Sequence, residues 1–121
     1  VLGLTFKPNP DDMRDSPSLD ILPALQAAGA RVRAYDPEGM DEARDMLDGV
    51  EFCDDTYDTL PGADALLIIT EWNEFRALDL ARVKQLLAAP VLVDLRNIYD
   101  PALMRELGFD YVSIGRPAVA P

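Results

Sequence analysis

Short apolar runs alternate along this chain with longer stretches whose apolar residues recur at helical spacing. The short runs fall at 1–5, 31–35, about 50–53, 64–69, 91–94 and 111–114, and predict strands. Helices are predicted at about 17–28, 39–47, 55–60, 79–88 and 101–107. Ala65-Leu66-Leu67-Ile68-Ile69 is apolar without a break, the pattern of a strand covered on both faces. Within 79–88, Leu80, Val83, Leu86 and Leu87 share one face. Local punctuation agrees with these boundaries. Ser16-Pro17 and Asp100-Pro101 each read as an N-cap followed by a first-turn proline, and Asp79 can cap the helix after it. Gly29 and Gly108 stand where a left-handed helix terminator is needed, and Asp36-Pro37 ends the second run in a turn.

Strict strand–helix alternation implies an α/β fold with a parallel sheet and helices on both faces. Right-handed crossovers then favour a three-layer, Rossmann-like, doubly wound sheet of about six strands in the order 3-2-1-4-5-6. Its switch point would lie between the first and fourth strands, and ligands of such sheets bind outside the carboxyl ends of the strands. Phe6 and Lys7 follow the first run, Thr70-Glu71-Trp72 the fourth and Arg96 the fifth, so all of them are expected on one edge. There is no internal repeat or low-complexity segment.

Composition narrows the reading. At 121 residues and 49% hydrophobic, the chain suits one domain with one core. That domain is expected over 1–115, with 116–121 an unstructured tail. Val1 already stands inside a strand-like run, which predicts a fragment of a longer protein. The net charge of −11 disfavours nucleic acid and anionic membrane as partners. No apolar run approaches the ~20 residues of a membrane span, and no signal peptide is visible. A single cysteine excludes an internal disulfide, and the absence of histidine removes the commonest general base and zinc ligand.

The first turn lacks Gly-x-Gly-x-x-Gly, so a dinucleotide is not expected there in the usual way; the loop carries Pro8, Pro10, Asp11 and Asp12 instead. An anion would have to be held by side chains. Lys7 leaves a strand at the switch point and is either an anion contact or a solvated lysine. Arg96 can hold two oxygens or stack on a base, or it can pair with Asp94 or another carboxylate. Asp94 reads as a positioning group rather than a catalyst. Arg14 stands at a helix entry, where Asp11, Asp12 or Asp15 could engage it. Asp11 and Asp12 alone are too few ligands for a metal, and none is expected. Trp72 is expected to pack at a strand end. Cys53, flanked by Asp54 and Asp55, reads as structural because acidic neighbours disfavour a thiolate.

Several segments also resemble a known family. Gly3-Leu4-Thr5-Phe6-Lys7 with Asp12-Met13-Arg14-Asp15-Ser16-Pro17, then Tyr35-Asp36-Pro37, Ala63-Asp64-Ala65, Thr70-Glu71-Trp72, Asp94-Leu95-Arg96-Asn97 and Ser113-Ile114-Gly115, occur in order across nearly the whole chain. This order resembles the C-terminal, UDP-binding domain of the UDP-glucose/GDP-mannose dehydrogenase family. The resemblance implies that Phe6, Lys7 and Arg96 contact a nucleotide-sugar and that Arg14 reaches NAD held by another domain. It implies a parent enzyme that oxidises the C6 alcohol of UDP-glucose to a carboxylate, reducing two NAD and releasing UDP-glucuronate for polysaccharide biosynthesis. The family's catalytic cysteine and NAD motif have no match in this chain, and Cys53 does not fit the cysteine's motif. No catalytic residue is therefore assigned here, and the fragment alone is expected to be inactive. The implied partners are UDP-glucose, the remaining domains of the same cytoplasmic enzyme and further copies in a homo-oligomer. GDP-mannose or UDP-N-acetylmannosamine as substrate, or a non-catalytic nucleotide-binding or interaction module, remain the alternatives. A phosphate-accepting receiver domain would need an acidic pair after the first strand, where Phe6-Lys7 stands.

Overall fold

A computed structural model describes residues 1–5 and 16–121. Among these, α1 (Ser18–Ala27), β1 (Arg33–Ala34), α2 (Met40–Met46), β2 (Glu51–Phe52), a 3₁₀ turn (Thr56–Thr59), β3 (Leu66–Ile68), α3 (Asn73–Arg76), α4 (Leu80–Leu86), β4 (Val91–Asp94), α5 (Pro101–Glu106) and β5 (Asp110–Ser113) follow in order. The protein is α/β with parallel sheets: β1 pairs with β2, and β3-β4-β5 form a second sheet.

The first predicted run does not form a regular strand. Leu2 alone makes parallel bridges, to Tyr35 on one side and Ile68 on the other. Leu2 N–H donates to the Leu67 carbonyl at 2.8 Å, and Ile69 N–H donates to the Leu2 carbonyl at 2.9 Å. Pairing stops at Gly3, whose φ of +93° lies in the left-handed region open to glycine. A Cβ on Gly3 would stand 2.5 Å from both N and Cβ of Thr70, so the turn is also a close backbone approach. Instead of one sheet of about six strands, the described residues hold five strands in two sheets, with Leu2 bridging toward both.

Helix ends follow local chemistry. Asp79 accepts from Arg82 N–H at 3.2 Å and Asp100 from Ala102 N–H at 3.0 Å, capping α4 and α5. The N-cap of α1 is Pro17, which has no side-chain acceptor, and Ser16, expected at that position, lies one residue before it. Its hydroxyl accepts from Ser18 N–H at 3.3 Å and donates to the Leu4 carbonyl at 2.5 Å, and the Ser18 hydroxyl reaches the same carbonyl at 2.7 Å. Both flanks of 6–15 are thereby tied to one point. Gly29 and Gly108 have φ of +98° and +88°, as helix terminators require. The helix predicted at 55–60 is the tighter 3₁₀ turn, opened by Asp55 accepting from Tyr57 N–H. The one-turn α3 had no periodic signal, yet it drives Phe75 fully into the core.

Two apolar clusters flank the strands. Leu66, Ile68 and Leu92 pack with Val83, Met104 and Phe109, whereas Leu67 and Ile69, pointing the other way, join Leu4, Leu22 and Leu47. The apolar run at 65–69 thus serves both faces. The end of the chain is not free. Val119 exchanges backbone hydrogen bonds with Tyr111 at 2.9 and 3.0 Å, because the extended residues after Gly115 turn back along β5.

Gly3→Ala is expected to cost about 3 kcal/mol or more, combining left-handed strain with the clash against Thr70. Gly62→Ala, with φ of +72° and open space around it, carries the strain alone, about 1 kcal/mol. Urea unfolding of both variants checks this; equal midpoints would remove the Thr70 contact from the account.

Candidate functional site

The carboxyl ends of the strand runs meet over two buried carboxylates. Asp36 follows β1 and is 1% exposed. Its Oδ2 accepts from Leu4 N–H at 2.7 Å, Thr5 N–H at 3.1 Å, the Thr5 hydroxyl at 3.2 Å and the Trp72 indole at 3.2 Å. Its Oδ1 accepts from Glu38 N–H at 2.9 Å and Gly39 N–H at 2.7 Å. Burial alone would raise the pKa of Asp36, but the amides of Leu4, Glu38, Gly39 and Thr5 outweigh it and hold the carboxyl below its ordinary value. The Thr70 hydroxyl adds a bond to the Thr5 carbonyl at 2.7 Å. The last described residue before Phe6 is therefore fixed to the ends of both neighbouring runs.

Asp94, which ends β4 and is fully buried, organises the other half. It accepts from Arg96 N–H at 3.0 Å, Ile98 N–H at 2.8 Å, Tyr99 N–H at 3.2 Å and the Tyr111 hydroxyl at 2.6 Å. Burial, followed by the bond to Asp94, pushes the Tyr111 phenol well above its usual range, so it remains the donor. All of Asp94's bonds serve the turn that carries Arg96 and the neighbouring strand, consistent with a positioning group.

Arg96 stands on that turn, half-buried. Its Nη2 meets Glu71 Oε1 at 3.0 Å, and the same glutamate lies 3.7 Å from Arg76. The partner is thus Glu71, at the end of the β3 run, and not the Asp94 side chain. Arg96 Nε is buried and has no hydrogen-bond partner among the described residues. Trp72 is 8% exposed and packs in the core with its indole N–H on Asp36. Phe6, Lys7 and Arg14, together with Asp11 and Asp12, lie outside the described residues.

Cys53 is half-buried beyond β2, its amide continuing the ladder to Ala34. Burial raises its thiol pKa, and Glu51, not Asp54 or Asp55, is the leading acidic contribution. The composition of this edge owes much to residues whose sequence signal was faint. Asp36 read as a turn marker and Glu71 as part of a strand-end motif, each also within a segment of the family resemblance but without a role. Arg116 was assigned to an unstructured tail. The recurrence of an aspartate at the carboxyl end of a strand run, just after one at Asp36 and closing one at Asp94, is the pattern that marks the two organisers.

Comparison with known proteins fits this geometry. The profile of the UDP-glucose/GDP-mannose dehydrogenase family, UDP binding domain, matches residues 1–101. The chain is 60% identical over 117 residues to a UDP-glucose 6-dehydrogenase of Rhizobium meliloti (strain 1021), covering 97% of this chain and 27% of that protein. It is 48% identical over 120 residues to the UDP-glucose 6-dehydrogenase TuaD of Bacillus subtilis (strain 168), covering 98% of this chain and 26% of that protein. The crystal structure of an NDP-N-acetyl-D-galactosaminuronic acid dehydrogenase from Methanosarcina mazei Go1 superposes with a TM-score of 0.82 at 30% identity, over 95% of this chain and 24% of that one. The chain belongs to the UDP-glucose/GDP-mannose dehydrogenase family, within its UDP binding domain. It spans about a quarter of the length of the curated relatives it matches.

Because Asp36 is held below its unfolded value of 3.8, its stabilising effect is fully present above that value and lost as pH falls through the lower folded one. Asp36→Asn is expected to cost about 2 kcal/mol at neutral pH. Urea midpoints of the parent chain and the variant should converge as pH drops below 3.8. A gap independent of pH would show that the charge is not what those amides recognise.

Proposed function

We propose that this chain is the nucleotide-sugar-binding domain of an NAD-dependent UDP-glucose 6-dehydrogenase, the enzyme that oxidises UDP-glucose to UDP-glucuronate. The observation that carries the reading is Arg96. A guanidinium at the carboxyl edge, steered through Nη2 by Glu71 and about a third exposed, keeps donors without partners among the described residues and can turn them to a ligand's oxygens. In this reading Arg96 and Lys7 engage phosphate, ribose or base, and Phe6 packs beside them. Thr5, immediately before Phe6, is fixed by Asp36 and Thr70, which supports a preset exit for that pair.

The choice of UDP-glucose is supported by relatives of that name at 60% and 48% identity. Structural likenesses named for UDP-D-ManNAc and UDP-N-acetyl-mannosamine stand at 29%. NAD, when bound to the full-length enzyme, accepts hydride from the sugar carbon. The chain has no Gly-x-Gly-x-x-Gly, and Arg14 is the one group assigned to reach NAD. The catalytic cysteine belongs to the part of the enzyme outside this chain, and this domain's share of the work is orientation of the substrate by remote binding energy. We further read the runs of the domain in the order 3-2-1-4-5-6, a reading supported by the two bridges of Leu2. The parent is read as a cytoplasmic homo-oligomer.

In the full-length enzyme, Arg96→Ala and Lys7→Ala should each raise KM for UDP-glucose about tenfold to a hundredfold, with KM for NAD unchanged. Initial-rate measurement of NADH formation checks this. Unchanged KM in both variants would overturn the assignment of the site.

A further inference from the structure

Arg116 makes contacts that the proposed function does not use. It follows β5, beyond the residues that the family profile matches. Its Nε donates to the Ser113 hydroxyl at 2.9 Å, Nη1 to the Tyr99 carbonyl at 3.0 Å, and Nη2 to the Tyr111 hydroxyl at 2.8 Å and to Asn97 Oδ1 at 3.4 Å. The guanidinium also lies over the Tyr111 ring, 5.7 Å from its centroid. The turn from Asp94 to Tyr99 is thereby held directly at Asn97 and Tyr99, and at Asp94 through the Tyr111 hydroxyl, by one side chain that places four of its five N–H donors within the protein.

Asn97 supplies the second part of the clamp. Its φ of 56° makes it the only non-glycine residue with positive φ among the described residues. Such a backbone persists only where its surroundings hold it. Here the Asn97 amide donates to the Ile114 carbonyl at 2.9 Å and accepts from Ile114 N–H at 2.9 Å, copying a strand pairing with a side chain. The left-handed residue immediately follows Arg96. Its conformation therefore sets the direction in which the Arg96 backbone presents the guanidinium, while Glu71 fixes the far end.

We propose that Arg116, acting through Asn97 and the Asp94–Tyr99 turn, is the positioning residue for Arg96, so that nucleotide-sugar affinity depends on a side chain that touches no ligand. This rests on the reading of Arg96 as a substrate contact. Releasing the clamp frees the turn to leave its strained conformation, and Arg96 then points elsewhere for most of the time. The bound nucleotide loses its partner, while chemistry at the sugar, carried by other domains, proceeds at its usual rate once substrate is bound.

The test uses the full-length dehydrogenase that contains this chain. Arg116→Ala, Arg96→Ala and the double variant are compared by KM for UDP-glucose, KM for NAD, kcat and melting temperature. The expected result is a rise of about tenfold in KM for UDP-glucose in Arg116→Ala, kcat and KM for NAD staying within about twofold, and no further rise when it is added to Arg96→Ala. Arg116→Lys, which keeps the charge but cannot span all four acceptors, should fall between, and it serves if the alanine variant does not fold. A lowered melting temperature with unchanged KM in Arg116→Ala and Arg116→Lys, or a rise that adds fully to that of Arg96→Ala, overturns the proposal while leaving Arg96 as a substrate contact. An unchanged KM in Arg96→Ala overturns both.

Discussion

The carboxylate of Asp36 is the junction on which the carboxyl edge depends. Three stretches distant in sequence end beside it: Leu4 and Thr5 from the first run, Glu38 and Gly39 from the turn after β1, and Trp72 from beyond β3. A buried charge is tolerated only when its lone pairs are filled, and here both oxygens are. Since the donors are mostly backbone amides, their positions are fixed by the chain path itself. Removing the acceptor would leave several buried N–H groups without partners, so the junction holds by the cost of its loss more than by its net attraction.

Asp94 repeats the device in the other half. It stands at the end of a strand, and it too collects the amides of the turn after it, with Tyr111 tying that turn to the next strand. The proposed ligand contacts stand just beyond these two residues in sequence or space. Arg96 is two positions from Asp94, and Thr5, held by Asp36, precedes Phe6 and Lys7. Rigid organisers beneath the edge are what the proposed binding role asks of this domain, because a fixed contact such as Arg96 lets binding energy orient a substrate whose reacting carbon lies elsewhere.

Much of this was legible in the sequence, and for identifiable reasons. The alternation of apolar runs with periodic stretches gave the α/β class, and Asp79, Asp100, Gly29 and Gly108 marked helix ends because capping is a local, short-range chemistry. Arg96 was legible because its place after a strand run follows from the alternation. The first run misled because Val1-Leu2-Gly3-Leu4-Thr5 has the hydrophobicity of a strand, whereas a single left-handed glycine pressed against Thr70 ends its pairing. Arg116 and Val119 were misread because a short, proline-bearing tail looks unstructured until Tyr111 offers it a ring, a hydroxyl and a backbone edge. Glu71 as the partner of Arg96 could not be read at all, since the pairing joins residues brought together only by the sheet.

The acceptors that Arg116 touches directly are all uncharged: two hydroxyls, one backbone carbonyl and one side-chain amide oxygen. The Arg96–Glu71 contact, in contrast, is an ion pair with both side chains about a third exposed. Mobile ions weaken a partly exposed ion pair as the Debye length shrinks from ~8 Å at physiological ionic strength to ~3 Å at 1 M salt, and leave the first kind of interaction almost untouched. The edge therefore has two layers with different responses to its medium. Rising salt loosens the grip of Glu71 on the guanidinium, and the turn beneath keeps its shape.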